Sequence, residues 1–467
     1  MMFLRHDVAV KLQFLNREDE QRRLRRAFAC PGGGLAVLYG RRRCGKSTLI
    51  QRAAGEKDLY FLADQRDALL QIQALAAEAE RVLPGLSAAR YPSWDALLTT
   101  LHARASSPLN VVFDEFPYLV QNAPELPSLL QHYLDSPGRK SLNFLLCGSS
   151  QRMMQGLVLD RTAPLYGRAQ EILRIEPLRA GWISVALGLR ADAAIEAFAL
   201  WGGIPRYWEL ARSSGGGIES ARDLILDRKG VLHEEPARLL LDELRTTGQA
   251  YSLLSLVGGG CHRMAEIAGR MGKPAGSLTR ALANLIELGY LRRDVPFGDS
   301  ARSGKRTLYT LCDPFLRFHF RFVQPHRSML ELGLMASVEA SLRRDFPAHA
   351  AGVWEDLARE SVPFLAIDGR AWGPASRWWG TGKDGRPLEI DVVAETLDRK
   401  AILIGEAKWT AGRADVARLS ADLARRIANA PFIHGRTVVP ALWLKRRSAT
   451  ESGMALIYPD QVLSVLK

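Results

Sequence analysis

The chain has 467 residues, enough for about three domains of the usual size. Its 63 Lys and Arg outnumber 50 Asp and Glu, and the net charge of +13 favours a polyanionic partner, either nucleic acid or anionic lipid. Its five cysteines have no CxxC spacing, so neither a disulfide framework nor a zinc knuckle is indicated. No apolar run approaches the ~18 residues of a spanning helix. We therefore expect a cytoplasmic protein with no membrane segment.

The first part of the chain alternates short apolar segments with longer helical patterns. Residues 34–40, 58–63, 109–116 and 141–150 are each predicted to form a buried strand. Strands separated by helices indicate a parallel α/β sheet. Residues 160–240 lose the strand signal and are predicted to form a helical lid.

The segment GRRRCGKST fits the phosphate-loop pattern G-x-x-x-x-G-K-[ST] from Gly40 to Ser47, between a predicted strand and a predicted helix. Gly40 and Gly45 allow backbone N–H groups to surround phosphate at a helix N-terminus. Lys46 would pair the β- and γ-phosphates, Ser47 would hold Mg²⁺, and Thr48 completes the nucleotide-binding set. The pattern therefore predicts that the chain binds ATP and Mg²⁺.

A neighbouring strand, NVVFDEF, ends in two carboxylates. Asp114 would hold the magnesium shell, and Glu115 would polarise the attacking water. Glu115 could otherwise be a solvated strand end, but a second carboxylate beside the metal ligand is typical of proteins that hydrolyse the nucleotide. We therefore predict an ATPase.

Two features near this site have alternative interpretations. The loop arginines Arg41–Arg43 either touch phosphate or coat the loop, and we favour the surface position. Ser149 or Ser150, at the end of the strand NFLLCGSS, either senses the γ-phosphate or caps a helix, and the sequence favours neither.

The segments of residues 12–210 resemble the archaeal-type ATPase family, P-loop enzymes related to AAA+ and STAND proteins. The matching segments are FLNREDE, LYGRRRCGKSTL, VVFDEFPYL, LLCGSSQRMM, PLYGRA and WGGIPRYW. The resemblance implies that Asn16 and Arg17 lie near the adenine and that Pro205 packs on the base. It also makes Arg168 the candidate charge-stabilising arginine, acting within its own subunit or on a neighbouring one.

Residues 245–312 are predicted to form three short helices and a basic hairpin, the order of a winged helix-turn-helix. Residues 261–330 contain twelve Lys and Arg and five Asp and Glu, a surplus of +7. The apolar stripe of the third helix consists of Leu278, Leu282, Leu285 and Leu288. Its polar positions are Ser277, Thr279, Arg280 and Asn284. The wing would present Arg292, Arg293, Arg302, Lys305 and Arg306 to phosphates.

This charge favours DNA as the partner, although winged helices in ATPases also serve as lids or as protein-docking modules.

The segment LEIDVVAETLDRKAILIGEAKWT, residues 388–410, is predicted to be a hairpin of two central strands. Asp391 lies on the first strand, and Glu406 and Lys408 share one face of the second. Metal-dependent phosphodiester cleavage uses acidic groups to hold Mg²⁺ and a cation to activate water or steady the phosphate. The alternative is an ordinary surface pair of Glu406 and Lys408.

This hairpin resembles the PD-(D/E)xK nuclease superfamily over about residues 345–440. The resemblance implies that Glu355, on the preceding helix, is a further metal ligand. Ile390 stands where a proline usually precedes the first acid, which removes no ligand. The tryptophans of this region are expected in the core or at its rim rather than as base-stacking platforms: Trp354, Trp378, Trp379 and Trp409.

We therefore predict an α/β fold class, with a P-loop NTPase parallel sheet, a helical lid, a winged helix-turn-helix and a C-terminal α/β restriction-endonuclease-like domain. The predicted domains are a P-loop ATPase core (12–160), the lid (161–240), the winged helix-turn-helix (245–312), a helical connector (313–344) and the nuclease-like domain (345–467). The predicted function is ATP hydrolysis and DNA binding, with a Mg²⁺-dependent nuclease gated by nucleotide state.

A STAND-like switch is the alternative function. In that case the C-terminal domain grips DNA or a protein without cleaving, and nucleotide drives homo-oligomerisation. A DNA motor is less supported, because the sequence shows no second motor domain of the helicase type.

Overall fold

The computed structural model describes residues 12–136, 141–243, 247–300, 306–448 and 453–467. The chain divides into two compact units. The N-terminal unit comprises Asn16–Pro177 and the short segment that begins at Leu241. The C-terminal unit comprises the described residues from Leu178 onward, apart from that segment, and those before Asn16. None of the helices in the described ranges combines the length and apolarity needed to span a bilayer.

A five-stranded parallel sheet forms the centre of the N-terminal unit, in the order β2-β3-β4-β1-β5. Its strands are β1 (Leu35–Tyr39), β2 (Leu59–Leu62), β3 (Leu109–Asp114), β4 (Leu142–Gly148) and β5 (Glu171–Arg174). The four predicted strands are confirmed. The expectation that strand structure ends before residue 160 is wrong at β5. This four-residue edge strand buries only alternate residues and therefore has little apolar signal.

Helices of the N-terminal unit flank this sheet, and all but the first two contribute to one apolar core with it. They are α1 (Glu18–Phe28), α2 (Lys46–Ala53), α3 (Ala68–Ala79), α4 (Trp94–Arg104), α5 (Phe116–Asn122), α6 (Leu126–Asp135) and α7 (Gln151–Met154). In the core, Phe113 stacks on Phe144 with ring centroids 6.2 Å apart, and Trp94 meets Phe113 edge-on. The core fixes β3 and β4, whose carboxyl ends carry the predicted acids and serines.

The first part of the C-terminal unit is helical, as predicted for the lid. Its helices are α8 (Gly181–Leu187), α9 (Ala191–Trp201), α10 (Pro205–Arg212), α11 (Ile218–Ala221) and α12 (Glu235–Glu243). The last residues of α12 belong to the N-terminal unit, so this one helix is shared between the units. The division at 160 and 161 stays a prediction, although β5 adds a strand to the first sheet beyond that point.

The predicted winged helix-turn-helix is present in the C-terminal unit. It consists of α13 (Thr247–Gly258), α14 (Met264–Met271), α15 (Ala275–Glu287) and an antiparallel pair of strands, β6 (Leu291–Asp294) and β7 (Leu308–Leu311). The predicted leucine stripe of α15 is buried, while Ser277, Thr279 and Arg280 are exposed and Asn284 is half-buried. The helix therefore presents a polar face, as expected of a recognition helix.

A mixed five-stranded sheet follows, in the order β12-β11-β10-β9-β8. Its strands are β8 (Ser376–Thr381), β9 (Pro387–Glu395), β10 (Ala401–Lys408), β11 (Thr437–Leu444) and β12 (Ala455–Ile457). The helices of this region are α16 (Pro314–Phe318), α17 (Arg327–Glu331), α18 (Met335–Ser361), α19 (Val416–Asn429) and α20 (Pro459–Val465). Strands β9 and β10 form the predicted antiparallel hairpin in the centre of the sheet. The four tryptophans expected in the core or at its rim are buried there.

A half-buried carboxylate, Asp356 on α18, joins the winged helix to this region. Its oxygens lie 2.5 Å from the guanidinium of Arg292 on β6, 2.7 Å from Arg317 on α16 and 2.6 Å from Arg359 on α18. Although burial opposes ionisation, these arginines hold the pKa of Asp356 well below its usual value. The cluster therefore contains an ionised aspartate with cations from three helices and strands.

The same cluster corrects the prediction for the wing. Arg292 is bound to Asp356 and Asp294, and Arg306 is bound to Asp299 and the Trp379 carbonyl, because acidic groups of the same unit reach both guanidiniums. Of the predicted wing residues, Arg293 is exposed. Arg302 and Lys305 lie outside the described residues. The phosphate-binding role of Arg292 and Arg306 is therefore not supported by their placement.

We expect Asp356→Asn to destabilise the C-terminal unit by about 3–5 kcal/mol, because it removes the shared counter-charge of three arginines while leaving them in place. Chemical denaturation of the full chain, followed by tryptophan fluorescence, would measure the change. Asp345→Asn is the matched control, since Asp345 pairs with its neighbour Arg344 at the surface. Equal stability of the two variants would contradict this role.

Candidate functional site

The phosphate loop lies between β1 and α2 and depends on two glycines. Gly40 has φ +151°, and a Cβ there would lie 2.3 Å from the Ile175 carbonyl oxygen, so no other residue fits without moving the backbone. Gly45 has φ +89° and is the N-cap of α2. Left-handed backbone at a helix N-terminus turns N–H groups toward one point, which suits an anion.

Lys46 is buried beneath the loop. Its Nζ donates to the carbonyl oxygens of Gly40 at 2.8 Å and Arg41 at 3.0 Å. Arg42 is exposed as expected, but the surface position predicted for Arg41 is wrong, because this side chain is buried within the N-terminal unit. Thr48 is half-buried in the first turn of α2.

The predicted magnesium ligands contact each other directly. Ser47 Oγ donates to Asp114 Oδ2 at 2.7 Å, and the Tyr60 hydroxyl donates to the same oxygen at 2.6 Å. Burial and the Asp114 carboxylate raise the pKa of Tyr60 above its usual value. A hydroxyl and a carboxylate are oxygen ligands that Mg²⁺ accepts, so this pair fits the ion.

Sequence reasoning missed Tyr60. Its strand was predicted, but the pairing of β2 with β3, which brings the tyrosine to Asp114, is not visible in the pattern of one strand.

Glu115 is held by a specific contact at the end of β3. It has φ +56°, in the left-handed region, and its carboxylate accepts from Ser149 Oγ at 2.6 and 2.7 Å and from the Ser149 amide at 3.3 Å. Ser150 instead caps α7, with its Oγ accepting from the Met153 amide. The two interpretations of the serine pair thus divide between the two residues, since Ser150 is the cap and Ser149 contacts the second acid.

Glu243, at the end of α12, is a further buried acid of the N-terminal unit. It accepts from the backbone amides of Gln151 and Arg152, and only 5% of its surface is exposed. Burial raises its pKa to about 7, although these amides and the cations Arg41 and Lys46 favour the charged form. Sequence reasoning missed Glu243, because an acid at a helix end carries no signal for its distant neighbours.

The residues implied by resemblance are placed as follows. Asn16 and Arg17 have φ +58° and +80°, and Arg17 is buried, with its guanidinium bound to Glu20 and the Glu176 carbonyl. Arg168 forms a two-bond ion pair with Asp135 at 2.7 and 2.9 Å. Within the described residues, no hydrogen bond joins Arg168 to the phosphate loop. Pro205 starts α10 in the C-terminal unit.

The predicted nuclease residues lie on neighbouring strands. Gly405 pairs with Val392, and one further step of this antiparallel register sets Glu406 opposite Asp391. The Ala407 amide donates to Asp391 Oδ2 at 3.0 Å, and the Asp391 carbonyl accepts from Arg359 Nη1 at 2.8 Å. The hairpin therefore brings the two acids together as its sequence predicted.

Glu406 has an unusual environment. Its side chain is 3% exposed, and Oε1 lies 2.5 Å from Lys408 Nζ and 3.2 Å from Arg426 Nη2. Its other oxygen, Oε2, is buried without a hydrogen-bond partner. A buried acceptor left without a donor is costly, so this oxygen has the character of a metal ligand.

Glu355 and Asp391 interact electrostatically across the same region. Burial, reinforced by Asp391, raises the pKa of Glu355 to about 7. Burial also raises the pKa of Asp391, although the Ala407 amide opposes the shift. In the described residues, Glu355, Asp391 and Glu406 do not bring three ligand atoms within 4.8 Å of one another. A cation bound here would therefore be coordinated by fewer than three of these acids, or the acids would have to move closer together.

Comparison with protein families agrees with the geometry of the loop. Residues 14–207 match the model of an ATPase domain found predominantly in Archaea. This segment is a P-loop ATPase domain. Residues 250–295 match an IclR helix-turn-helix domain, and residues 319–426 match a family of archaeal and bacterial proteins of unknown function.

Comparison with individual proteins extends beyond the ATPase domain. The uncharacterized protein MJECL04 of Methanocaldococcus jannaschii is 28% identical over 426 residues, covering 88% of this chain and 91% of that protein. The Walker-type ATPase paby2304 of Pyrococcus abyssi is 20% identical, with a TM-score of 0.48, covering 66% of this chain and 96% of that one. The ORC2 protein of Aeropyrum pernix is 16% identical, with a TM-score of 0.46, covering 69% and 96%.

The ATPase domain should lose stability as Glu243 ionises. The native pKa, about 7, lies above the ordinary value of 4.5, so the native state binds more protons than the unfolded state between these values. Stability is therefore expected to fall as pH rises from 4.5 to 7, by on the order of 3 kcal/mol. Glu243→Gln should flatten this decline in thermal unfolding midpoints measured from pH 4.5 to 8.

The exposed Glu78 of α3 provides the control. Glu78→Gln should keep the wild-type pH profile, and a wild-type profile in Glu243→Gln would contradict the assignment.

Proposed function

We propose that the protein hydrolyses ATP, binds DNA through its winged helix, and carries a Mg²⁺-dependent phosphodiesterase site in its C-terminal unit. The observation that carries the ATPase part is the pair of neighbouring acids with separate partners, Asp114 bound to Ser47 and Glu115 bound to Ser149. A metal ligand and a water-polarising group are the two functions that the hydrolysis of ATP requires.

Each residue of the loop has a defined role in this proposal. Lys46 would leave its two loop carbonyls and bind the β- and γ-phosphates, and Ser47 and Asp114 would hold Mg²⁺. Bound Mg²⁺ neutralises charge on the phosphate oxygens. Glu115 orients and polarises the attacking water, and Ser149 positions its carboxylate.

The remaining nucleotide residues follow the resemblance. Gly40, Gly45 and Thr48 line the phosphates. The resemblance implies that Asn16 and Arg17 lie near the base, and the role of Pro205 stays a prediction from the same resemblance. Arg168 would stabilise developing charge after leaving Asp135, in its own subunit or on a neighbour, and this step would link turnover to assembly.

We expect Glu115→Gln to lower ATP turnover by about 10²–10⁴-fold while nucleotide binding persists, because the amide cannot polarise water as a carboxylate does. Phosphate release would report turnover, and a fluorescent ATP analogue would report binding. Glu125→Gln, at an exposed position before α6, is the control. Turnover in Glu115→Gln equal to that of the control would refute the role.

The DNA-binding part rests on the exposed polar face of α15, with Ser277, Thr279 and Arg280 available to base edges or phosphates and Asn284 beside them. The internal pairing of Arg292 and Arg306 leaves the polar face of α15 as the supported contact among the described residues.

The phosphodiesterase part rests on the buried, partnerless Oε2 of Glu406 beside Asp391. Asp391 and Glu406 would hold Mg²⁺, with Glu355 as a further ligand, and Lys408 would steady the phosphate. The metal would supply charge stabilisation of the phosphate oxygens. Burial raises the pKa values of Glu355 and Asp391, and a bound cation would favour the charged forms of both acids.

Asp391→Asn and Lys408→Ala are each expected to abolish Mg²⁺-dependent nicking of supercoiled DNA while leaving ATP turnover unchanged. Gel assays with supercoiled, linear and single-stranded DNA, with and without ATP and with Mg²⁺ or Mn²⁺, would measure cleavage. Asp384→Asn and Lys400→Ala are controls, because both residues lie in exposed turns of the same region. Nicking that survives both site variants would exclude this site.

The second candidate function is a STAND-like switch that grips DNA or a protein without cleaving. The observation that favours it is the pairing of Glu406 Oε1 with both Lys408 and Arg426, which is compatible with a purely structural ion pair. This candidate predicts slow turnover, nucleotide-dependent oligomerisation and no nicking under any condition of the same assay.

A further inference from the structure

One imidazole and two carboxylates converge in the C-terminal unit, away from the acids of the proposed phosphodiesterase site. His233 and Glu234 immediately precede α12, and Glu331 ends α17. Each offers one ligand atom within 4.8 Å of the other two, the one set of three such groups found in the described part of the chain. His233 is buried, Glu234 is half-buried and Glu331 is exposed, so the group is open to solvent on one side.

The hydrogen bond of His233 fixes which ring nitrogen is available. Its Nδ1 lies 2.8 Å from the Ile225 carbonyl oxygen, which can only accept, so the neutral ring carries its proton on Nδ1. The lone pair is then on Nε2, which lies 3.9 Å from Glu234 Oε1, too far for a hydrogen bond. The His233 side chain is only 4% exposed, and the lone pair on its Nε2, which has no hydrogen bond, therefore faces the Glu234 carboxylate.

This arrangement is the one that metal-binding histidines adopt. A backbone carbonyl that accepts from one ring nitrogen orients the other as a ligand and increases its basicity. Metal–ligand distances near 2.1 Å place neighbouring tetrahedral ligands about 3.4 Å apart. The separation of His233 Nε2 and Glu234 Oε1, 3.9 Å, thus needs a small contraction around an ion.

The charged groups around the three ligands include two arginines. Arg327 donates to Glu234 Oε1 at 2.7 Å, while Arg228 reaches only the backbone carbonyl of Glu331. His319 and the Tyr251 hydroxyl are the other titratable groups nearby, and burial together with His233 lowers the pKa of His319 to about 3. Two arginines therefore lie beside the two carboxylates, and a metal ion would compete with Arg327 for Glu234 Oε1.

We propose that His233, Glu234 and Glu331 form a binding site for a divalent transition-metal ion, with Zn²⁺ as the representative ligand. An imidazole with carboxylates favours zinc and similar ions over Mg²⁺ or Ca²⁺, which prefer oxygen alone. The ion would join the start of α12 to the end of α17, and water would complete its coordination. Arg327 competes with the ion for Glu234, so this arginine lowers the affinity of the site for the ion.

The test uses the full chain, stripped with a chelator and free of nucleotide. Zn²⁺ is titrated against a chromophoric chelator, and one tightly bound equivalent is expected. His233→Gln and Glu331→Gln should each weaken this equivalent at least tenfold, whereas Arg327→Gln should strengthen it because a competing cation is removed. Glu331 is exposed, so its variant tests the site even if the His233 variant fails to fold.

His434→Gln is the matched control, since this histidine is exposed on another part of the C-terminal unit. Co²⁺ provides a second readout, because a site without sulfur shows visible ligand-field bands but no thiolate charge-transfer band. Absence of a bound equivalent would overturn the proposal, as would a thiolate band. So would an affinity that does not change in Glu331→Gln or in Arg327→Gln.

Discussion

The ion-pair cluster of Asp356 with Arg292, Arg317 and Arg359 is the interaction on which the C-terminal unit depends. An ionised carboxylate removed from water costs several kcal/mol unless cations and donors surround it. Here the cations come from β6 of the winged helix, from α16 and from α18, so the aspartate is stabilised only when all three come together. The preceding residue, Glu355, is thereby placed beside Asp391. One cluster thus positions both the winged helix and the candidate metal site.

Local patterns in the sequence predicted the elements that have strong periodicity. The four strands that carry the phosphate loop and its acids, the three helices of the winged helix-turn-helix and the hairpin with Asp391 and Glu406 all follow from apolar runs, glycines and helical stripes. Strands β5, β8 and β12 were missed, because short edge or peripheral strands depend on their neighbours for burial. Periodicity identifies an element but does not say which other element it will meet.

That limit explains the site residues that were missed or misplaced. The basic neighbours of Arg292 suggested that it binds phosphate. Its guanidinium instead pairs with Asp356, which is distant in the chain. Tyr60 reaches Asp114 through the pairing of β2 with β3. Glu243 reaches the first two amides of α7 from the end of a helix more than ninety residues away. The group of His233, Glu234 and Glu331 is likewise joined only by tertiary structure. Pairwise contacts of this kind require the folded backbone.

Two buried acids, Asp114 and Glu406, differ in whether both of their carboxylate oxygens have a hydrogen-bond donor. Asp114 accepts from Ser47, Tyr60 and the Glu115 amide, so both of its oxygens have donors. Glu406 has two cations at Oε1 and none at Oε2. An unsatisfied buried acceptor costs about 1–3 kcal/mol, which the neighbouring Lys408 and Arg426 offset only in part. An oxygen in this condition fits the cation that we propose for this site. The asymmetry of Glu406 therefore supports a cation site more strongly than the spacing of the motif does.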